Sequence, residues 1–223
     1  TPRAAKSRCA PVNSNVRSHE EPRVQTSPAG HIARHVANVR RLLSDCSNLF
    51  SANFDAEIVR VLDLLDIRAY GHVIDSFYLF EDTELAKDHI RANPMGRDFG
   101  LVYLKFYGVM NACYLQQQAA IVCSKSLKLQ IDLGPLLSAR VVQFRNDFAA
   151  HSPNRGRGAD LHSFILDKFG LAQGRVSGYS SNAPDGFVSR DAKLTDLVSE
   201  WDVVLEPVLG VISNTIETRI ARA

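Results

Sequence analysis

The chain has 223 residues, 45% of them hydrophobic and 22% charged, and a formal net charge of +2 from 26 Lys and Arg against 24 Asp and Glu. That composition excludes collagen-like, coiled-coil-only and wholly disordered chains, and the length can bury a core without disulfide or metal staples. Four cysteines, Cys9, Cys46, Cys113 and Cys123, are too few at this length for a small disulfide scaffold, and with no CxxC pair among them they give no support to a zinc ribbon or thioredoxin-like motif.

No run of 18 apolar residues occurs and no signal-peptide core is read, so the expectation is a cytoplasmic chain with no membrane span and reduced thiols. The charge is unevenly spread. Residues 1–41 hold eight Lys and Arg and two acids, leaving eighteen basic and twenty-two acidic residues in the remainder. Residues 1–28 carry Pro2, Pro11, Pro22 and Pro28 among scattered single apolar residues, and read as a flexible basic tail.

Helical spacing begins after the tail. Ile32, Val36, Val39, Leu42 and Leu43 predict a helix from Ala29 to Asn48. Phe54, Ile58, Val61, Leu62 and Leu65 share a face in a second helix over Phe54 to Ile67, with Asn53 or Asp55 as its cap. A third segment, Ala69 to Asn93, is expected to contain a break, and Pro94 and Gly96 end it. Leu101 to Leu129 is a long apolar helix in which Asn111 and Gln116 to Gln118 either line a cleft or face water. Pro135 suits the first turn of the next helix, which runs to about Ala150 and is stopped by Pro153.

Residues 154–160 form a basic glycine loop. The span 161–190 mixes Phe, Leu and Val with Gly170, Gly174 and Gly178, and reads as a short hairpin or irregular insertion. Asp191 to about Arg222 is a final helix around Trp201, with Pro207 as a point of kinking. The expected fold class is therefore all-α. A helix bundle over residues 29–223 carries a small non-helical insertion, with the tail ahead of it.

Several chemistries find no support. No GxxxxGK[ST] or GxSxG occurs, and the GxG at Gly156 and Gly158 has neither a third glycine nor a preceding strand. His31 and His35 could share a helix face as metal ligands, but no third ligand lies near them in sequence, so the expectation is a solvated face and no metal.

One segment stands out: Val141-Val142-Gln143-Phe144-Arg145-Asn146-Asp147-Phe148-Ala149-Ala150-His151-Ser152-Pro153-Asn154-Arg155. Arg145 can fork onto a phosphate and stabilise charge on a phosphorane-like transition state. His151 titrates near neutral pH and can move a proton to or from a ribose oxygen, while Asn146 can orient either group. These residues need no metal or cofactor. Arg155 and Arg157 follow directly and, with Arg140, could hold RNA phosphates. Residues six apart on an ideal helix point well over a right angle apart. Arg145 and His151 therefore converge only if the helix unwinds before His151 or a second copy completes the cleft.

The pattern of Arg145, the following Asn146, a five-residue spacer and His151 resembles the signature of the HEPN superfamily. The stretch from Tyr107 to Ala119, YGVMNACYLQQQA, is similar to the helix that precedes the motif in several bacterial members. The resemblance implies a HEPN-like bundle, and a metal-independent endoribonuclease in which the 2′-hydroxyl attacks the adjacent phosphodiester. It further implies a composite site in a homodimer, RNA as substrate, a role in toxin–antitoxin, phage-defence or RNA-processing systems, and an antitoxin or other partner protein. One departure matters. Toxin members paired with a nucleotidyltransferase antitoxin carry a Tyr two residues after the His, where this chain has Pro153. Two other readings are open: a non-catalytic helical module binding a nucleotide or partner protein, and an enzyme of another class with its site around His31 and His35.

Overall fold

The computed structural model describes residues 27–50, 53–150, 162–184 and 186–223. The first helix, α1, spans Pro28–Leu49. The Ser27 side chain caps it, accepting from the Gly30 N–H at 3.3 Å, and Pro28 supplies a preset first-turn φ. The last two residues of the expected tail thus belong to the helix start, and residues 1–26 lie outside the described residues. Ile32, Val36, Val39, Leu43 and Cys46 form the buried stripe of α1.

Helix α2, Phe54–Val61, is shorter than expected. Asp63 adopts a left-handed φ of 46° and turns the chain, which leaves Leu65 82% exposed instead of on the buried face. Asn53 stands at the N-cap without a side-chain cap bond. Helix α3, Ile67–Ala92, is capped by Asp66, which accepts from the Ala69 N–H at 2.9 Å. It runs without the expected break. Buried Ser76 and Thr83, two polar positions in its apolar face, bond back to the carbonyls of His72 and Leu79 and so stay within the helix.

Helix α4, Phe99–Ser126, is capped by Asp98 and packs along α3. The single helix expected from Leu136 to Ala150 is three pieces. Helix α5, Gly134–Leu137, ends where Ser138 bonds back to Gly134, and Ala139 is extended. Helix α6, Arg140–Phe144, then passes into a π-helical turn, Arg145–Ala150.

The insertion is a three-stranded antiparallel sheet, β1 Ile165–Leu166, β2 Arg175–Ala183 and β3 Gly186–Lys193, with the short helix α7, Lys168–Ala172, between β1 and β2. The register pairs Val176 with Ala192 and Gly178 with Arg190, and an irregularity between Ser180 and Ala183 precedes the turn. Because β3 runs to Lys193, the last helix, α8, starts at Leu194 and continues through Pro207 to Ala221.

The fold is therefore mostly helical with a small antiparallel sheet. One buried cluster joins α1, α3, α4 and α8, from Ile32 to Ile216, and takes in Phe148, Phe164 and Val176, which fasten the sheet to the bundle. Among the described residues no helix is long and apolar enough to cross a membrane.

An ionic knot lies inside this core. Lys87 has no exposed surface; it donates to Glu84 and, at 3.0 Å, to Gln116 Oε1, and it lies 2.6 Å from Asp202 Oδ1. Gln116 Nε2 donates to Glu84 Oε1 at 2.7 Å, and Trp201 Nε1 donates to Gln116 Oε1 at 2.7 Å. Arg91 closes the outer side by donating to Asp202 and, at 2.6 Å, to Asp88. The knot joins α3, α4 and α8. Gln116 and Gln117 thus neither line a cleft nor face water, and Gln117 donates to the Leu136 carbonyl at 2.8 Å. Burial beside the knot pushes the Cys113 thiol up to about 12.

Candidate active site

The sheet fixes the motif segment. Phe144 and Phe148 face inward with ring centroids 6.0 Å apart, and Phe148 meets Phe164 edge-on at 5.4 Å. The Phe148 ring lies over Gly178 of β2, where a Cβ would come within 2.5 Å of its Cε1. Buried Asp147 accepts from Arg190 Nε of β3 at 3.1 Å. At Arg145 the backbone changes from i→i+4 to i→i+5 bonding, a widened turn that recurs at functional sites because it re-aims side chains. The motif segment is thus wound as a π turn up to Ala150, and the expected unwinding just before His151 falls at the edge of the described residues.

Arg145 and Asn146 come together at the head of that turn. Both are half-buried, and Arg145 Nη1 donates to Asn146 Oδ1 at 3.2 Å. The Arg145 guanidinium carbon sits 3.9 Å from the centroid of the Tyr114 ring on α4. Among the described residues Arg145 forms no ion pair with a carboxylate, so its charge is met by a ring face and a neutral amide. That leaves the outer edge of the fork available to an anion.

Arg140, five residues earlier at the start of α6, is held differently. Its Nη1 donates to Glu200 of α8 at 2.7 Å, on the surface, so a phosphate there would compete with that carboxylate. His151, Arg155 and Arg157 lie outside the described residues, as do Pro153 and the basic glycine loop.

The two histidines of α1 meet a partner the sequence did not suggest. Glu206 Oε1 of α8 lies 3.4 Å from His31 Nδ1 and 3.8 Å from His35 Nε2. Burial lowers the His35 pKa, with Glu206 opposing in part. Among the described residues no group of three or more His, Cys, Asp or Glu has the geometry to hold a metal ion.

A separate cleft of about 750 Å³ opens between the end of α3 and the base of the sheet. Ile90, Met95 and Leu194 line it with apolar surface, and Arg91, Arg175, Asp191 and Lys193 with charge, Arg175 being paired with Asp191 and Arg91 with Asp202; it shares no lining residue with the Arg145 site.

Two supports of the site were not foreseen: Tyr114 under Arg145, and Arg190 behind Asp147. Tyr114 left a signal, since it falls on the polar-interrupted helix already singled out. Arg190 left none, because its role depends on strand register. Comparison with family models, with curated proteins and with solved structures returns no match.

Proposed function

We propose that the chain is a metal-independent endoribonuclease of HEPN type, acting through Arg145, Asn146 and His151. The observation that carries this reading is the state of Arg145: half-buried, braced on Tyr114, bonded to Asn146, and paired with no carboxylate among the described residues. A guanidinium so placed is preorganised for a phosphodiester. His151, the residue after the π turn, supplies proton transfer. The 2′-oxygen bonds to phosphorus as its proton is taken up, the bond from phosphorus to the 5′-oxygen breaks, and that oxygen receives a proton. The products are a 2′,3′-cyclic phosphate and a 5′-hydroxyl. Arg145 holds the charge that builds on the non-bridging oxygens between these events. A homodimer would put two such sets in one cleft.

The test is cleavage of single-stranded RNA in excess chelator by the wild type and by the Arg145→Ala and His151→Ala variants. Removing a group that stabilises charge, or one that transfers the proton, is expected to lower the rate at least about 100-fold. Cleavage that persists in both variants, or that requires added metal, overturns the reading. The separate cleft beside Arg91 and Lys193 favours one alternative, a module that binds a small ligand without cleaving RNA. Intact RNA in every arm would support it.

A further inference from the structure

Phe99, Tyr103, Tyr107 and Tyr114 fall on one face of α4, within about 80° of one another at roughly 100° per residue. None of the four is sealed in the core, and Tyr107 is 43% exposed. The Tyr103 and Tyr107 rings stack with centroids 5.8 Å apart and planes 30° apart. Phe99 meets Phe169 of α7 edge-on at 5.5 Å, and Phe169 is itself exposed. A cation closes each end. The Arg145 guanidinium covers Tyr114, and Lys168 Nζ lies 5.2 Å from the Phe99 centroid and 5.1 Å from that of Phe169. From Phe99 to Tyr114 the strip runs about 22 Å at 1.5 Å per residue.

We propose that this strip is the bed on which a single-stranded RNA lies as it enters the Arg145 site. Its bases stack on Tyr107 and Tyr103, and its phosphates are held by Arg145 and Lys168. The inference rests on the ribonuclease reading and names the form of its substrate.

Three features select this occupant. Apart from Met110, which is buried between Tyr107 and Tyr114, the face is aromatic, whereas the neighbouring exposed face of α4 is aliphatic, with Leu101 and Leu104. The exposed part of the Tyr107 ring suits a base, because bases stack on any π surface without regard to sequence. The two cations are also complementary to a polyanion, because among the described residues neither Arg145 nor Lys168 is in an ion pair with a carboxylate. A duplex keeps its base faces stacked inside and could use only the cations.

The test measures binding apart from cleavage. A 5′-fluorescein 12-nucleotide RNA, 2′-O-methylated throughout so that no 2′-hydroxyl can attack, is titrated with the full chain and followed by anisotropy. Tyr107→Ala and Tyr107→Leu are expected to weaken binding about tenfold, as loss of one stacked base predicts, and Tyr107→Phe to stay within about twofold of wild type. The same strand in a duplex is expected to bind more weakly than the free strand. Because leucine fills the space without a π face, the Leu variant decides the matter even if the Ala variant folds poorly.

Equal binding by wild type and Tyr107→Leu overturns the proposal. So does equal binding of duplex and single strand, or no binding of the single strand by the wild type. The ribonuclease reading fails separately. If unmodified RNA stays intact while the methylated strand binds through Tyr107, the strip stands without the catalysis. If cleavage depends on Arg145 and His151 but is indifferent to Tyr107, the catalysis stands without the strip.

Discussion

Lys87 is an ammonium with no exposed surface, and its charge is met by Glu84 on its own helix and by Asp202 on α8. Two carboxylates and two cations in one knot all lose hydration, and that loss is offset only within the set, by neighbouring opposite charge and by the hydrogen bonds of Gln116 and Trp201. Removing one member is another matter. Lys87→Met would leave Glu84 and Asp202 in the core with Arg91 as the one cation of the knot and Gln116 still donating to Glu84. The expected loss is about 3–5 kcal/mol of unfolding free energy, read from urea melts at pH 7. A loss below about 1 kcal/mol would show that the carboxylates find water when Lys87 is gone. Sequence periodicity hides this kind of residue, since a charge on a helix reads as a solvent-facing position. Gln116 alone left a trace, as a polar break in an apolar run. Arg145 was legible for the opposite reason: its chemistry follows from residue type and local spacing. Its brace, Tyr114, comes from a helix thirty residues away, and only the tertiary fold brings the two together.

At the scale of the element, the π turn and the sheet depend on each other. Phe148 packs over Gly178, and β1 approaches the same glycine so closely that an added Cβ would meet the Ile165 carbonyl. Gly178→Ala therefore has to displace either a strand or the Phe148 ring, and neither is a flexible side-chain end. The expected cost is about 1–3 kcal/mol, measured by thermal or urea unfolding. RNA cleavage should fall as well, because the displaced ring sits three residues from Arg145 on the π turn. Full activity in a variant destabilised by that amount would show that the sheet secures the fold without holding the motif. The long elements α1, α4 and α8 were legible because apolar spacing over more than twenty residues leaves little choice, although the caps Ser27 and Asp98 went unread. The break at Ala139 was not, because helices of four and five residues carry no periodic signal. The sheet was legible only as a short hairpin or irregular insertion, and the β2–β3 pair is that hairpin while β1 and α7 were not foreseen. Its order depends on pairings such as Gly178 with Arg190, which no local pattern encodes.

At the scale of the whole molecule, α4 is a helix whose apolar surface exceeds what the described residues cover. Its apolar side chains run all the way round, yet Leu101, Leu104 and Val122 are exposed, with Gly108 and Asn111 between them on the same side. A helix apolar on every face is normally enclosed on every face. This aliphatic stripe adjoins the aromatic face that carries Tyr114 and Arg145, so two chains joined across it would set their Arg145 residues in neighbouring positions. That is the arrangement the proposed composite site requires, since on an ideal helix residues six apart point in different directions. Leu104, 68% exposed, is the place to test it, because a charge there costs an isolated chain little. The wild type is expected to sediment at twice the chain mass at micromolar concentration. Leu104→Glu should sediment as the monomer with its helical circular dichroism unchanged, and should cleave RNA at least about tenfold more slowly, because a like charge on each side of a two-fold contact opposes its closure. A fully active monomer would show that one chain holds the whole site. A Leu104→Glu dimer would move the contact to another face of the molecule.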